Sequence, residues 1–171
     1  MEELHRLSKE AYADVEKLPV VVVLDNVRSL SNVGAVFRSA DAFRIGEVFL
    51  CGITACPPHR EIHKTALGAD ETVPWRYFET TEAACRELKA MGYKIYAVEQ
   101  VEGSVMLQNF KAEQKMAFIM GNEVEGVGEE VLPFCDGAIE IPQEGTKHSL
   151  NVSVCSGIIM WTIFNQLFLE R

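Results

Sequence analysis

Two unbroken apolar runs constrain this chain more than any other feature: VVVVL at 20–24 and MAFIM at 116–120. Neither alternates polar with apolar residues, so neither fits a strand with one wet face. Each reads as a strand covered on both sides, the condition of a parallel sheet flanked by helices. The sequence around them alternates accordingly. Val33, Val36, Phe37, Ala40 and Phe43 recur at helical spacing over 32–43, with Ser31 or Asn32 as the cap and Gly46 as a stop signal. A strand is expected at 47–51, a helix over 58–67 starting near its proline, a strand at 71–75 and a helix over 81–91 with Gly92 at its exit. Further strands are expected at 94–98 and 138–141, a short helix at 128–134, and a long helix from about 149 to 169. The fold class is α/β, a mostly parallel sheet with helices on both faces. A length of 171 residues fits a single domain over 1–171, with 1–17 as an N-terminal helical extension.

The last helix is unusual. Val152, Val154, Ile158, Ile159, Trp161, Ile163, Phe164, Leu167 and Phe168 do not lie on one narrow stripe. A helix apolar nearly all round has to be covered on more than one side. One side can meet the sheet, and a second copy of the chain is the expected cover for the other, giving a twofold homodimer. The apolar run within it, GIIMWTIF at 157–164, is too short for a membrane span of about 20 residues. The first nineteen residues are charged throughout and lack the apolar core of a signal peptide. Five scattered cysteines, an odd number, do not read as a disulfide framework. The expected compartment is the cytoplasm.

In open α/β sheets, ligands bind beyond the carboxyl ends of the strands. Three loops occupy that position. After Leu24 comes DNVRSLSNVGAVFRSA, polar and small residues leading into a helix that carries Arg38. After Met120 comes GNEVEG, in which Gly121 permits close backbone approach and Glu123 and Glu125 sit at the sheet edge. After the last strand comes IPQEGTKHSLN, where Pro142 and Gly145 shape a turn. There Ser149 and Asn151 open the final helix, whose free N–H groups suit an anion. Taken singly, Arg38 is a solvated helix residue and Asn32, Ser149 and Asn151 are caps.

Taken together, the three loops resemble the signature motifs of the SpoU/TrmH-type RNA 2′-O-ribose methyltransferases of the SPOUT superfamily. The first motif matches Asn32-Val33-Gly34 through Arg38-Ser39-Ala40, the second Gly121-Asn122-Glu123 with Gly126, and the third Ile141-Pro142, Gly145 and Ser149 to Val154. The stretches beginning at Lys64 (KTALGA) and Val73 (VPW) also look like the family, and the resemblance covers residues 18–170. Gln143 departs from it, since the family commonly has Met there.

The resemblance implies a trefoil-knotted fold, S-adenosylmethionine (AdoMet) as cofactor, RNA as substrate and a homodimer. It implies that Arg38 is catalytic, that Asn32 and Ser149 position Arg38 and an RNA phosphate, and that Glu123 and Asn151 organise the pocket. AdoMet would be held mostly by backbone around Gly121, Ile141 and Leu150, with support from Val98. Two roles for Arg38 stay open: general base, or a cation that holds a phosphate and stabilises the developing alkoxide. The compact chain, without a separate RNA-binding domain, favours tRNA over rRNA.

Other readings carry less. Cys51, Cys56, His59 and His63 have a zinc-like spacing, but Cys51 ends a buried strand and His63 lies within a helix. His148 and Ser149 are neighbours in sequence and cannot face each other on a helix. No G-x-G-x-x-G follows the first strand and no Walker sequence occurs, which argues against a dinucleotide-binding dehydrogenase or an NTPase. The alternative from another class is an AdoMet- or RNA-binding protein of this fold without catalysis. The net charge of −9 opposes strong nonspecific RNA binding. The charge is uneven, however: residues 28–64 carry five basic against three acidic side chains, and residues 99–144 carry two against ten.

Overall fold

The computed structural model describes residues 7–147 and 149–170. It contains α1 (Lys9–Ala13), β1 (Leu18–Asp25), α2 (Leu30–Ala42), β2 (Ile45–Cys51), α3 (Arg60–Ala66), β3 (Trp75–Phe78) and α4 (Thr81–Ala90). These are followed by β4 (Lys94–Val98), β5 (Val105–Met106), β6 (Met116–Met120), β7 (Gly137–Glu140) and α5 (Val152–Phe164). The seven strands form one sheet in the order β3-β2-β1-β6-β4-β7-β5. Every strand pairing in it is parallel.

The two apolar runs are direct neighbours in register: Val20 pairs with Met116 and Leu24 with Met120. Both strands are interior, which explains why neither has a polar face. Val20, Val22 and Leu24 point into a core shared with α2, α3 and α5. Val21 and Val23 point into a second core closed by Ala84, Cys85 and Leu88 of α4. Helices therefore cover both faces, as the continuous apolar strands require.

Several boundaries differ from expectation, each for a local reason. Ser29, not Ser31 or Asn32, caps α2, its side chain accepting from the Asn32 N–H. Gly46 is not a stop but lies inside β2; the turn is made by Arg44, with φ 53°. The helix expected over 58–67 starts at Arg60 behind the His59 cap. The strand expected at 71–75 is displaced to 75–78, because residues 69–71 form a 3-10 turn. The helix expected at 128–134 shrinks to a single 3-10 turn at 132–134. The two-residue strand β5 carries too short a pattern to be read from sequence. Within the proposed N-terminal extension the helix covers only Lys9–Ala13, and residues 1–6 lie outside the described residues.

The last helix begins at Val152, later than expected, and runs into a π-helical turn over Asn165–Leu169. By length and composition, the stretch Val152–Leu169 would pass for a membrane span. Its inner residues Val152, Ile159, Met160 and Ile163 are instead buried in the α2–α5 core. Its outer residues Val154 and Trp161 are about half exposed, at 51% and 49%. Trp161 and Phe164 pack on Phe43, with ring centroids 5.8 and 5.7 Å away. The two-sided apolar character thus resolves into a buried side and an open one.

Candidate active site

At the carboxyl edge of the sheet the loops that follow β1, β6 and β7 meet. After β6 the chain turns back on itself, and Asn122 and Gly126 exchange backbone hydrogen bonds of 2.9 and 3.0 Å. Asn122 Oδ1 accepts from the N–H groups of Val124 and Glu125, closing the turn. A Cβ on Gly121 would overlap the backbone of Gly126 and Val127, so this hairpin needs glycine there. Gly126 has φ 74°, and a Cβ on it would overlap the Glu99 carboxylate.

Glu123 projects from this turn onto the start of α2. Its carboxylate accepts from the N–H groups of Arg28 (3.0 Å) and Ser29 (3.1 Å) and from Asn32 Nδ2 (3.1 Å). Desolvation opposes the ionised form. The Arg28, Glu123 and Ser29 N–H groups and the Asn32 amide outweigh it and hold the carboxyl below its usual value. Asn32 is free for this role because Ser29 caps the helix in its place. Its Oδ1 accepts from Asn151 Nδ2 at 3.1 Å. Asn151 Oδ1 in turn caps α5, accepting from Ser153 and Val154 N–H. The chain of contacts Glu123–Asn32–Asn151 ties all three loops together.

A cleft of about 620 Å³ opens beside this network. Val98, Gly121, Glu123, Ile141, Ser149, Leu150 and Asn151 all line it. Asn32 reaches it through Glu123 and Asn151. Arg38 does not line it: it lies farther along α2, exposed, and its side chain makes no hydrogen bond or ion pair with any other described residue. At the start of α5, the expected anion site, the Asn151 side chain takes the Ser153 and Val154 N–H groups, and Ser149 precedes the helix. Ser149 is exposed in the loop, and its expected neighbour His148 lies outside the described residues. Gly145 faces open space, with no atom within 4 Å of the point where a Cβ would stand.

Three residues to which sequence reading gave no role complete the site. Asp25, at the end of β1 and 2% exposed, accepts from the Gly128 N–H, Thr81 Oγ1 and Asn26 Nδ2. Glu99 accepts from the Val127 N–H at 3.1 Å and lines the cleft. Asn122 Nδ2 donates to the Asn26 carbonyl at 2.7 Å. Asp25 and Glu99 share a signal: each is the first acidic residue at the end of an apolar strand. The zinc-like spacing brings no metal-binding group together among the described residues. Cys51 is buried, its thiol pushed up to about 12 by desolvation, and His63 Nδ1 is taken by Asp70.

The profile of the SpoU rRNA Methylase family matches residues 19–161. The chain belongs to the SpoU rRNA Methylase family. Among its SpoU relatives is the 23S rRNA (guanosine-2′-O-)-methyltransferase RlmB of Neisseria meningitidis serogroup B. The two are 30% identical over 152 residues, spanning 89% of this chain and 60% of that protein. RlmB of Nitrosomonas europaea is 32% identical over 169 residues, spanning 95% of this chain and 65% of its own length. The chain therefore spans less than two thirds of the length of these curated SpoU relatives. Among solved structures, the AdoMet-bound rRNA methyltransferase from Sinorhizobium meliloti is similar with a TM-score of 0.83 and 28% identity. That match covers 92% of this chain and 60% of the other. The A. aeolicus TrmH/SpoU tRNA modifying enzyme shares the fold, with a TM-score of 0.83 at 24% identity over 93% of this chain and 80% of its own.

Proposed function

We propose that this chain is an AdoMet-dependent RNA methyltransferase that acts on a ribose 2′-hydroxyl and works as a homodimer. One observation carries the reading: seven residues drawn from four separate segments line a single cleft, and Asn32 is hydrogen-bonded to two of them. The names of the SpoU relatives point the same way.

The cleft suits the cofactor chemically. Glu99, Glu123, Glu125, Glu129 and Glu140 line it, without a lysine or arginine. These five account for half of the acidic residues in 99–144, so the chain's negative charge is concentrated around a site suited to a sulfonium cation. Its volume is in the ordinary range for small-molecule sites. The Gly121 and Gly126 turn exposes backbone at the cleft edge, where Val98, Ile141 and Leu150 would hold the ligand. When bound, AdoMet supplies an activated methyl group.

The protein's own work is alignment and charge. Glu123, Asn32 and Asn151 fix the α2 start against the α5 start, setting the position of the flank that carries Arg38. A guanidinium is a donor without an acceptor lone pair, so Arg38 serves better as a phosphate-holding and oxyanion-stabilising cation than as a base. The open side of α5, with Val154, Trp161, Phe168 and Leu169 exposed, is the surface a second copy would cover. A trefoil knot around the cleft belongs to the same reading.

Structured rRNA is the first substrate to test, since the RlmB relatives are named for 23S rRNA. The test is methyl transfer from labelled AdoMet to purified rRNA and tRNA, with the product mapped by resistance to alkaline cleavage. Transfer to one RNA class at a ribose supports the reading. AdoMet binding without transfer to either class overturns it and leaves a binding protein of the same fold.

A further inference from the structure

A second recess of about 600 Å³ lies at the other end of the sheet, on the α2–α3 side, and shares no residue with the cleft. Pro57, Pro58 and the half-buried Trp75 give it flat apolar walls. His63 and Arg60, both exposed, stand beside them. His63 Nδ1 sits 3.1 Å from both carboxylate oxygens of Asp70, whose side chain is only 5% exposed. A carboxylate only accepts, so Nδ1 carries the hydrogen and the ring is held with Nε2 turned away from Asp70. Glu71, also at the rim, is paired with Lys9. Arg60 makes no ion pair with any described residue, so its guanidinium stands unpaired at the mouth.

The recess is on the same side of α2 as Arg38. Gly34, one turn before Arg38, is so close to α3 that a Cβ on it would overlap Thr65. Asp41, three residues after Arg38, accepts from Thr72 Oγ1 at 2.8 Å. Residues spaced this way share one flank of a helix, so Arg38 lies on the flank that carries the recess segment.

We propose that this recess binds an unpaired nucleotide of the RNA substrate, its base stacked on Trp75 between the proline walls and its phosphate held by Arg60. The proposal rests on the RNA-methyltransferase reading and extends it with a contact remote from the cofactor cleft. A planar wall suits any base, because every base has a π face. An exposed guanidinium suits the phosphate that every nucleotide carries. The oriented His63 offers Nε2 to a base edge. Single-stranded RNA fits this arrangement and a continuous duplex does not, since stacked and paired bases cannot enter a recess.

The chain has two tryptophans, so Trp161→Phe leaves Trp75 as the sole indole reporter. Titrating this variant with a short single-stranded RNA of mixed sequence should quench Trp75 emission saturably, and the same sequence as a duplex should do so more weakly. Arg60→Glu should weaken binding about tenfold, and Trp75→Ala by a similar factor. Trp75→Phe should recover most of it, while AdoMet affinity by calorimetry stays at the parent value. RNA that binds by fluorescence anisotropy without changing Trp75 emission overturns the proposal, as do Arg60→Glu and Trp75→Ala proteins that bind and methylate like the parent. Saturable quenching in a protein that methylates no RNA would support the recess and overturn the enzymatic reading, so the two fail separately.

Discussion

Asn151 Nδ2 donates to Asn32 Oδ1 at 3.1 Å, joining residues 119 positions apart in the chain. Each partner has a second duty: Asn151 Oδ1 caps α5, and Asn32 Nδ2 bonds Glu123. A double-mutant cycle on Asn32→Ala and Asn151→Ala should therefore be non-additive, with a coupling of about 0.5–1 kcal/mol in urea unfolding. Asn151→Ala alone should cost about 1 kcal/mol for the lost cap. Strict additivity would show that the bond contributes nothing.

Glu123 should give the site an acid-sensitive contact. Its folded-state pKa is lowered, so its stabilising contribution is fully present above the ordinary carboxyl value of 4.5. That contribution is lost as pH falls through the lowered value. Glu123→Gln should flatten that part of the stability–pH curve and cost about 1 kcal/mol at neutral pH, a modest figure because the group is exposed. A variant whose pH profile overlays the parent's between neutral and acid pH would remove this role.

Gly126 has a backbone conformation that side chains avoid, and a methyl group there would displace the Glu99 carboxylate. Gly126→Ala should destabilise the protein by about 1–3 kcal/mol and weaken AdoMet binding, because Glu99 and Val127 must separate. Thermal unfolding and calorimetry measure both. Parent-like values for both would mean the turn relaxes without consequence.

Arg38 should divide stability from activity. Its side chain is exposed and bonds no other described residue, so Arg38→Ala should change stability by no more than about 0.5 kcal/mol. Methyl transfer should fall about a hundredfold or more, the usual loss for one preorganised charge donor. Arg38→Lys should recover little if the guanidinium fork is what holds the phosphate. Near-parent turnover by Arg38→Ala would exclude any chemical role for this residue.

Cys155 lines the cleft, and burial followed by the nearby Glu99 charge pushes its thiol up to about 11. At neutral pH it should be a protonated, slowly alkylated thiol, with a rate that climbs only as pH approaches that value. Bound AdoMet should slow the reaction further. Alkylation by iodoacetamide followed by mass spectrometry reads both effects. Fast modification at neutral pH, unchanged by AdoMet, would place the thiol outside the cofactor's reach.

The sheet and the three loops were legible in the sequence because the signals are strong and local. An apolar run of five residues such as 20–24 or 116–120 is too short for a buried helix and reads as a doubly covered strand, and loops after strands mark ligand positions in open α/β sheets. The short elements were not legible: one turn of 3-10 helix at 132–134 or two residues of β5 leave no period to read. Nor could sequence decide which residue caps α2. Ser29, Ser31 and Asn32 all have the chemistry, and the choice of Ser29 releases Asn32 to hold Glu123 and Asn151.

The sequence by itself therefore determined the interior strands, the layers and the residue types at the sheet's carboxyl edge, since these follow from local burial and backbone propensity. Only the tertiary structure decided that Glu123, Asn32 and Asn151 form one network, and that Asp25 and Glu99 pin the second loop. It alone showed that Arg38 lies on the flank of α2 that faces α3, away from the lining of the cleft. Hydrogen bonds between segments about a hundred residues apart depend on strand order and register, which no local pattern encodes.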